Sequence, residues 1–316
     1  MLDLPKRLWE DINMKLQEMI KVYLEYCEYR KELDWNTLKA YRIDLRQFAE
    51  FLEKDEPSKE KIESYITHLH KKYKQKTVKR KIASLKAFYA YLEEEEIIEE
   101  NPMRRVRTKF KEERMLPRVI PRQEIEKLLN CMYKELRESE KNQRFILRDV
   151  AVVEVLFATG ARVYEIANIR IENINLESGV IRFMGKGGKE RIVQIGEESV
   201  IQLLNRYYTE NREEILECGY FFINKRKSRF TEQSIRLMLK KYTKQAEIEL
   251  NITPHMFRHS FATYLIEEGV DISCVQQILG HSSIKTTQIY IHVSSKKQAD
   301  ILREMHPRNK MRIRAA

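Results

Sequence analysis

"GVIRFMGKGGKERIVQI", residues 179–195, is where the chain changes its period. Two β-prone runs flank Gly185, Gly187 and Gly188, which predicts a hairpin because glycine readily adopts the backbone angles of tight turns. On either side the apolar spacing is helical. Helical patterns cover about 122–138 and 146–169 upstream, and resume downstream to about Gln298. From Pro121 onward the chain therefore reads as mostly α with a small antiparallel sheet.

Further upstream the helical period is unbroken from about Asp11 to Arg107. In "WNTLKAYRIDLRQFAEFLEK" the residues Leu38, Tyr41, Leu45, Phe48 and Leu52 recur at spacings of three and four, with Asn36 as the expected N-cap. Val78, Ile82, Leu85, Phe88 and Leu92 repeat the pattern. Met19 to Leu24 and Ile62 to Leu69 flank these two segments, giving a bundle of about four helices. Pro102, Pro117 and Pro121 then interrupt the period, as expected of a linker. The expected division is a helical domain over 11–108, a linker over 109–120 and a second domain over 121–316.

Length supports two domains: 316 residues exceed the roughly 250–300 at which a single core stops growing. The net charge of +11 favours a polyanionic partner. No apolar run approaches the ~20 residues of a membrane-spanning helix, and the N-terminus lacks the apolar core of a secretory signal. Cys27, Cys131, Cys218 and Cys274 are scattered, so neither a disulfide framework nor a cysteine zinc site is expected. The cytoplasm is the simplest compartment. Residues 71–86 hold eight Lys or Arg and no acidic residue. A charge run is usually a solvated helix face, yet a one-sided block at a helix start also suits phosphate contacts, with Lys76, Lys79 and Arg80 as candidates. Arg104 and Arg105 extend the basic surface into the linker region.

Chemistry concentrates in the second domain. Arg162 follows Thr159-Gly160 at the start of a helical run, where the helix dipole is positive, a poor place for a structural arginine and a good one for an anion. In "TPHMFRHSFATYLIEEG", Pro254 suits a first helical turn, and His255 and Arg258 lie three apart on one face. His255 and His259 also have metal-ligand spacing, but no carboxylate or cysteine accompanies them, so no metal is expected and His259 reads as a packed histidine. Gly280 stops a helix before His281, and Tyr290 follows nine residues later. Each of these residues alone has an ordinary structural reading. Together they fit attack on a phosphodiester: two guanidiniums gripping non-bridging oxygens, Lys186 at the hairpin tip protonating the leaving oxygen, and Tyr290 as nucleophile. A free tyrosine has a pKa of about 10 and needs cationic surroundings or a base to attack near neutrality. No cofactor is required, and no phosphate-binding loop suggests ATP.

The motifs "ATGARVYEIANIR", "GKGGKER", "TPHMFRHSFATYLIEEGVDI" and "ILGHSSIKTTQIYIHV", with the terminal "HPR" of His306 to Arg308, resemble those of tyrosine recombinases of the phage-integrase family, especially the bacterial Xer type. The resemblance covers nearly the whole chain. It implies a four-helix core-binding domain of SAM-like fold and a catalytic domain that together clamp duplex DNA. It further implies that Arg162, Lys186, His255, Arg258 and His281 activate the phosphate, and that Tyr290 forms a 3′-phosphotyrosyl bond. Arg162 and Arg258 would bind the phosphate, His281 would donate a further hydrogen bond, Lys186 would be the general acid, and His255 would assist proton transfer from Tyr290. Residues of about 294–316 resemble a segment that docks onto a neighbouring subunit, implying a tetramer on two DNA sites, of identical chains or with a related recombinase. Such an enzyme would work on the bacterial nucleoid through a Holliday junction, in chromosome dimer resolution or in integration and excision of a mobile element. Departures from the usual pattern are Ala161, Tyr164, Phe257 and a basic extension carrying Lys310, Arg312 and Arg314. The competing readings are a type IB topoisomerase-like enzyme, which relaxes DNA without exchanging partners, and a non-catalytic DNA-binding factor, which would have lost the nucleophile or an arginine.

Overall fold

Apolar residues three and four apart put one stripe of each N-terminal helix against its neighbours. In the computed structural model, which describes residues 6–53, 55–108, 118–185 and 190–280, the chain forms two compact units that divide between Glu113 and Arg114. The first unit contains α1 (Lys6–Tyr29), α2 (Trp35–Leu52), α3 (Lys59–Lys72) and α4 (Gln75–Glu94), then a short 3-10 turn at Pro102–Arg105. Its core holds Leu45, Phe48, Ile62, Leu69, Val78, Leu85 and Phe88, all fully enclosed. Tyr23 meets Phe88 edge-on at 5.4 Å, and Phe48 meets Tyr65 at 5.1 Å. Each such side chain contributes roughly 1.5–3 kcal/mol on burial, which is why the stripe rather than helix propensity holds the bundle together.

Two details differ from expectation. Helix α1 begins at Lys6 and not near Asp11, because no breaker separates the two positions. Asp34, not Asn36, caps α2: its carboxylate accepts the Asn36 N–H at 3.0 Å and the Thr37 N–H at 3.3 Å. A negative charge at the positive end of the helix dipole favours the aspartate.

The second unit is built around α6 (Gln143–Thr159), whose run from Ile146 to Leu156 is buried on nearly every side. A helix buried on nearly every side belongs at the centre of a domain, and the two buried charged side chains in its run, Arg148 and Asp149, pair with each other at 2.6 Å. Around it stand α5 (Arg122–Glu138), α7 (Val163–Ala167), α8 (Glu198–Glu210), α9 (Arg212–Cys218), α10 (Glu232–Gln245), α11 (Pro254–Glu267) and α12 (Ile272–Leu279). The expected hairpin is β2 (Val180–Met184) and β3 (Glu190–Gln194), antiparallel, with Ile181 opposite Val193 and Met184 opposite Glu190. Ile181, Phe183 and Val193 face the core, as period two requires. A two-residue strand that the sequence did not suggest, β1 (Ile174–Asn175), completes a three-stranded sheet in the order β1-β2-β3.

Candidate active site

The site is assembled around one glycine. Helix α6 ends at Thr159, and Gly160 turns the chain with φ +57, its N–H bonded to the Leu156 carbonyl at 3.1 Å. A Cβ at this position would stand 2.5 Å from Phe261 Cδ1 and 3.0 Å from Leu279 Cδ2. Only glycine combines that backbone angle with such close approach of α11 and α12.

Two residues later Arg162 caps α7. Its own N–H donates to Glu165 Oε2 at 2.7 Å, and its Nη1 donates to Glu165 Oε1 at 2.8 Å. The Arg162 side chain remains 38% exposed while that of Glu165 is buried, so the arginine is held by the carboxylate and still reaches solvent. Burial alone would raise the pKa of Glu165. The hydrogen bond and charge of Arg191 outweigh that, with Arg162 adding to the effect, and hold the carboxyl below its usual range. Glu165 is therefore an anion at neutral pH. Sequence reading passed over it, although a glutamate three residues after a helix-opening residue is the visible half of a capping box.

Arg258 comes from the first half of α11, which begins at Pro254 as expected. The arginine is only 4% exposed. Its Nη1 donates to the Gly160 carbonyl at 2.8 Å and its Nη2 to the Leu279 carbonyl at 2.6 Å. Arg162 and Arg258, 96 positions apart in the chain, thus converge on one turn. His255 lies exposed in the first turn of α11, while His259 is half-buried. Burial, then the charges of His255 and Arg258, push the His259 imidazole below its usual pKa, which favours its neutral form. Gly280 ends α12 with φ +63, one residue before His281. Lys186, His281 and Tyr290 lie outside the described residues, as do His306 to Arg308, the basic extension and the 294–316 segment.

The basic face of α4 is less uniform than its sequence. Lys76 is exposed and Lys79 half-exposed, both on the expected surface. Arg80 is ion-paired with Asp44 of α2, and Lys81 is turned inward, 2% exposed, with Nζ 2.9 Å from Asp44 Oδ1 and 2.5 Å from Gln47 Oε1. Ser84 donates a third hydrogen bond to that carboxylate at 2.8 Å. Arg104 pairs with Glu93 at 3.0 Å and Arg105 with Glu100 at 3.0 Å, both arginines largely exposed.

Comparison with known proteins agrees with this geometry. The model of the Phage integrase family matches residues 118–297, and that of the phage integrase N-terminal SAM-like domain matches 20–96. A tyrosine recombinase of Agathobacter rectalis is 48% identical over 93% of this chain and 97% of its own length. Tyrosine recombinase XerC of Leptospira interrogans is 34% identical over 96% of this chain and 98% of its own. The crystal structure of a XerH site-specific recombinase bound to its palindromic difH substrate has the same fold, with a TM-score of 0.71, 23% identity, and coverage of 89% of this chain and 83% of that one. An arginine pair gathered on one turn, a helical SAM-like unit ahead of it and relatives matched end to end lead to one conclusion: the chain belongs to the phage integrase family and is a tyrosine recombinase.

Proposed function

We propose that this protein is a site-specific recombinase that cuts and rejoins duplex DNA through Tyr290. The observation that supports this most directly is the convergence of Arg162 and Arg258 on the Gly160 turn. Two guanidiniums beside a helix start form a receptor for a phosphate that gains charge in its transition state. In the proposed step Tyr290 Oη bonds to phosphorus, the P–O5′ bond breaks, Lys186 passes a proton to the departing 5′-oxygen, and His255 assists removal of the tyrosine proton. His281 donates a hydrogen bond to a non-bridging oxygen. The 3′-phosphotyrosyl bond keeps the energy of the phosphodiester, so a 5′-hydroxyl from the partner duplex reverses the reaction without ATP. Two such rounds, through a Holliday junction, exchange both strands.

In this reading residues 11–108 and 121–316, joined by a linker over 109–120, grip the duplex from their basic surfaces, with Lys76, Lys79, Arg80, Arg104 and Arg105 on backbone phosphates. Four subunits, identical or shared with a related recombinase, act on two sites, each lending its 294–316 segment to a neighbour. None of the described helices is long and apolar enough to cross a membrane, and we place the enzyme in the cytoplasm, on the nucleoid when acting. The test is to incubate the protein with fragmented DNA from its own cell, quench with denaturant, and sequence the ends of DNA that stays bound to protein. The expected result is an adduct on 3′ ends clustered at one sequence. Cleavage at that sequence without exchange between two copies of it would favour a topoisomerase-like activity instead.

A further inference from the structure

Arg191, in β3 of the hairpin that carries Lys186, reaches three partners from one guanidinium. Its Nη2 donates to Glu165 Oε2 at 2.8 Å, and its Nε faces Glu165 Oε1 at 3.5 Å. Its Nη1 donates to the Ile278 carbonyl in the last turn of α12. The guanidinium lies 4.6 Å from the centre of the Phe183 ring, and the side chain is only 8% exposed. At Gly280 a Cβ would come within 2.7 Å of Arg191 Cδ, so the glycine that opens the way to His281 leaves room for this arginine.

Taking two charges out of water costs free energy that an apolar pair would not, so stability alone is a weak reason for such an arrangement. Charge counting supplies a better one. Arg162 and Glu165 together are neutral, and Arg162 would then present little net field to a phosphate. With Arg191 the triad carries one positive charge, and Arg162 is its exposed member. The same guanidinium ties that triad to the end of α12, from which the chain enters the segment of His281 and Tyr290.

We propose that Arg191 is a positioning residue: it takes up the charge of Glu165 so that Arg162 stays electropositive toward the scissile phosphate, and it fixes the start of the nucleophile's segment to the same point. This rests on the reading of Arg162 and Tyr290 given above. The test uses the full chain and a nicked duplex carrying the sequence mapped by adduct capture, with either a normal scissile phosphate or a methylphosphonate, in which a methyl group replaces one charged oxygen. Arg191→Met should slow adduct formation about a hundredfold on the phosphate, the loss typical of one transition-state contact, and far less on the uncharged analogue. Arg191→Met combined with Glu165→Gln restores the single positive charge and should recover at least about tenfold, that is, half of such a contact on a logarithmic scale. Equal losses on both substrates with no recovery in the double variant would overturn the proposal, since damage to folding affects both alike. A DNA-free arm separates the two readings. Amide exchange at 278–280 and 163–167 should rise in Arg191→Met while α6 stays protected, and unchanged exchange there would also overturn it. If wild type forms no adduct, the recombinase reading fails while the exchange result still decides what Arg191 holds.

Discussion

Glu165 has a single negative charge and two arginines to share it. Its lowered pKa has a definite consequence for stability. A carboxyl whose folded value lies below its unfolded value stabilises the fold fully above the unfolded value, near 4.3, and loses that contribution as pH falls through the folded one. Glu165→Gln should therefore melt at lower temperature than wild type at neutral pH, keep that gap down to about pH 4.3, and close it in more acid solution. Thermal melts across that range check this, and a gap that widened in acid would contradict it. At this scale the two arginines were legible, Arg162 because it opens a helix where the dipole is positive and Arg258 because it shares a helix face with His255 three positions before it. Glu165 and Arg191 were not, because their importance depends on meeting across 26 positions, and neither local period nor spacing encodes that meeting.

On helix α4 the same residue type does two jobs. The apolar stripe Val78, Ile82, Leu85, Phe88 and Leu92 was readable from its spacing and is buried throughout. Lys81, which sits between members of that stripe, was counted with the basic face, yet its partner Asp44 lies 37 positions back on α2 and draws it inside. The two kinds of lysine should separate experimentally. Lys76→Ala should weaken DNA binding evenly across sequences and lower the salt slope of binding by about one, as loss of one phosphate contact requires. Lys81→Ala should instead destabilise the helical unit by roughly 3 kcal/mol, because it removes one partner of a buried carboxylate, and leave the salt slope unchanged. Binding titrations at several salt concentrations, paired with chemical denaturation, distinguish them. The hairpin shows the limit in the other direction: alternation and glycines announced β2 and β3, but β1 is too short for any period to register.

Across the whole molecule, most of the excess positive charge lies in the unit that carries the chemistry, with a net +9 over residues 114–316 against +2 over 1–113. A net charge of +11 attracts duplex DNA without choosing a sequence, and the second unit supplies the two arginines proposed to bind the scissile phosphate. The order of the motifs along the chain carried most of the functional reading, since a helical unit followed by spaced arginines, histidines and a tyrosine fits few other reactions. Partnership between subunits is a separate matter. A chain ending after Val293 should bind one site with nearly unchanged affinity but fail to form the larger complex on DNA bearing two sites. Sedimentation of protein–DNA mixtures measures both, and undiminished assembly would remove the 294–316 segment from the interface.

The proposed chemistry turns on one bond, between Tyr290 and a 3′ phosphate. The measurement is to digest the denaturant-quenched adduct with trypsin and nuclease and locate the nucleotide on the peptide by mass spectrometry. The expected product is a nucleotide linked through its 3′ phosphate to Tyr290, with no adduct from Tyr290→Phe. A linkage to another residue, attachment through a 5′ phosphate, or an adduct that survives in Tyr290→Phe would contradict it.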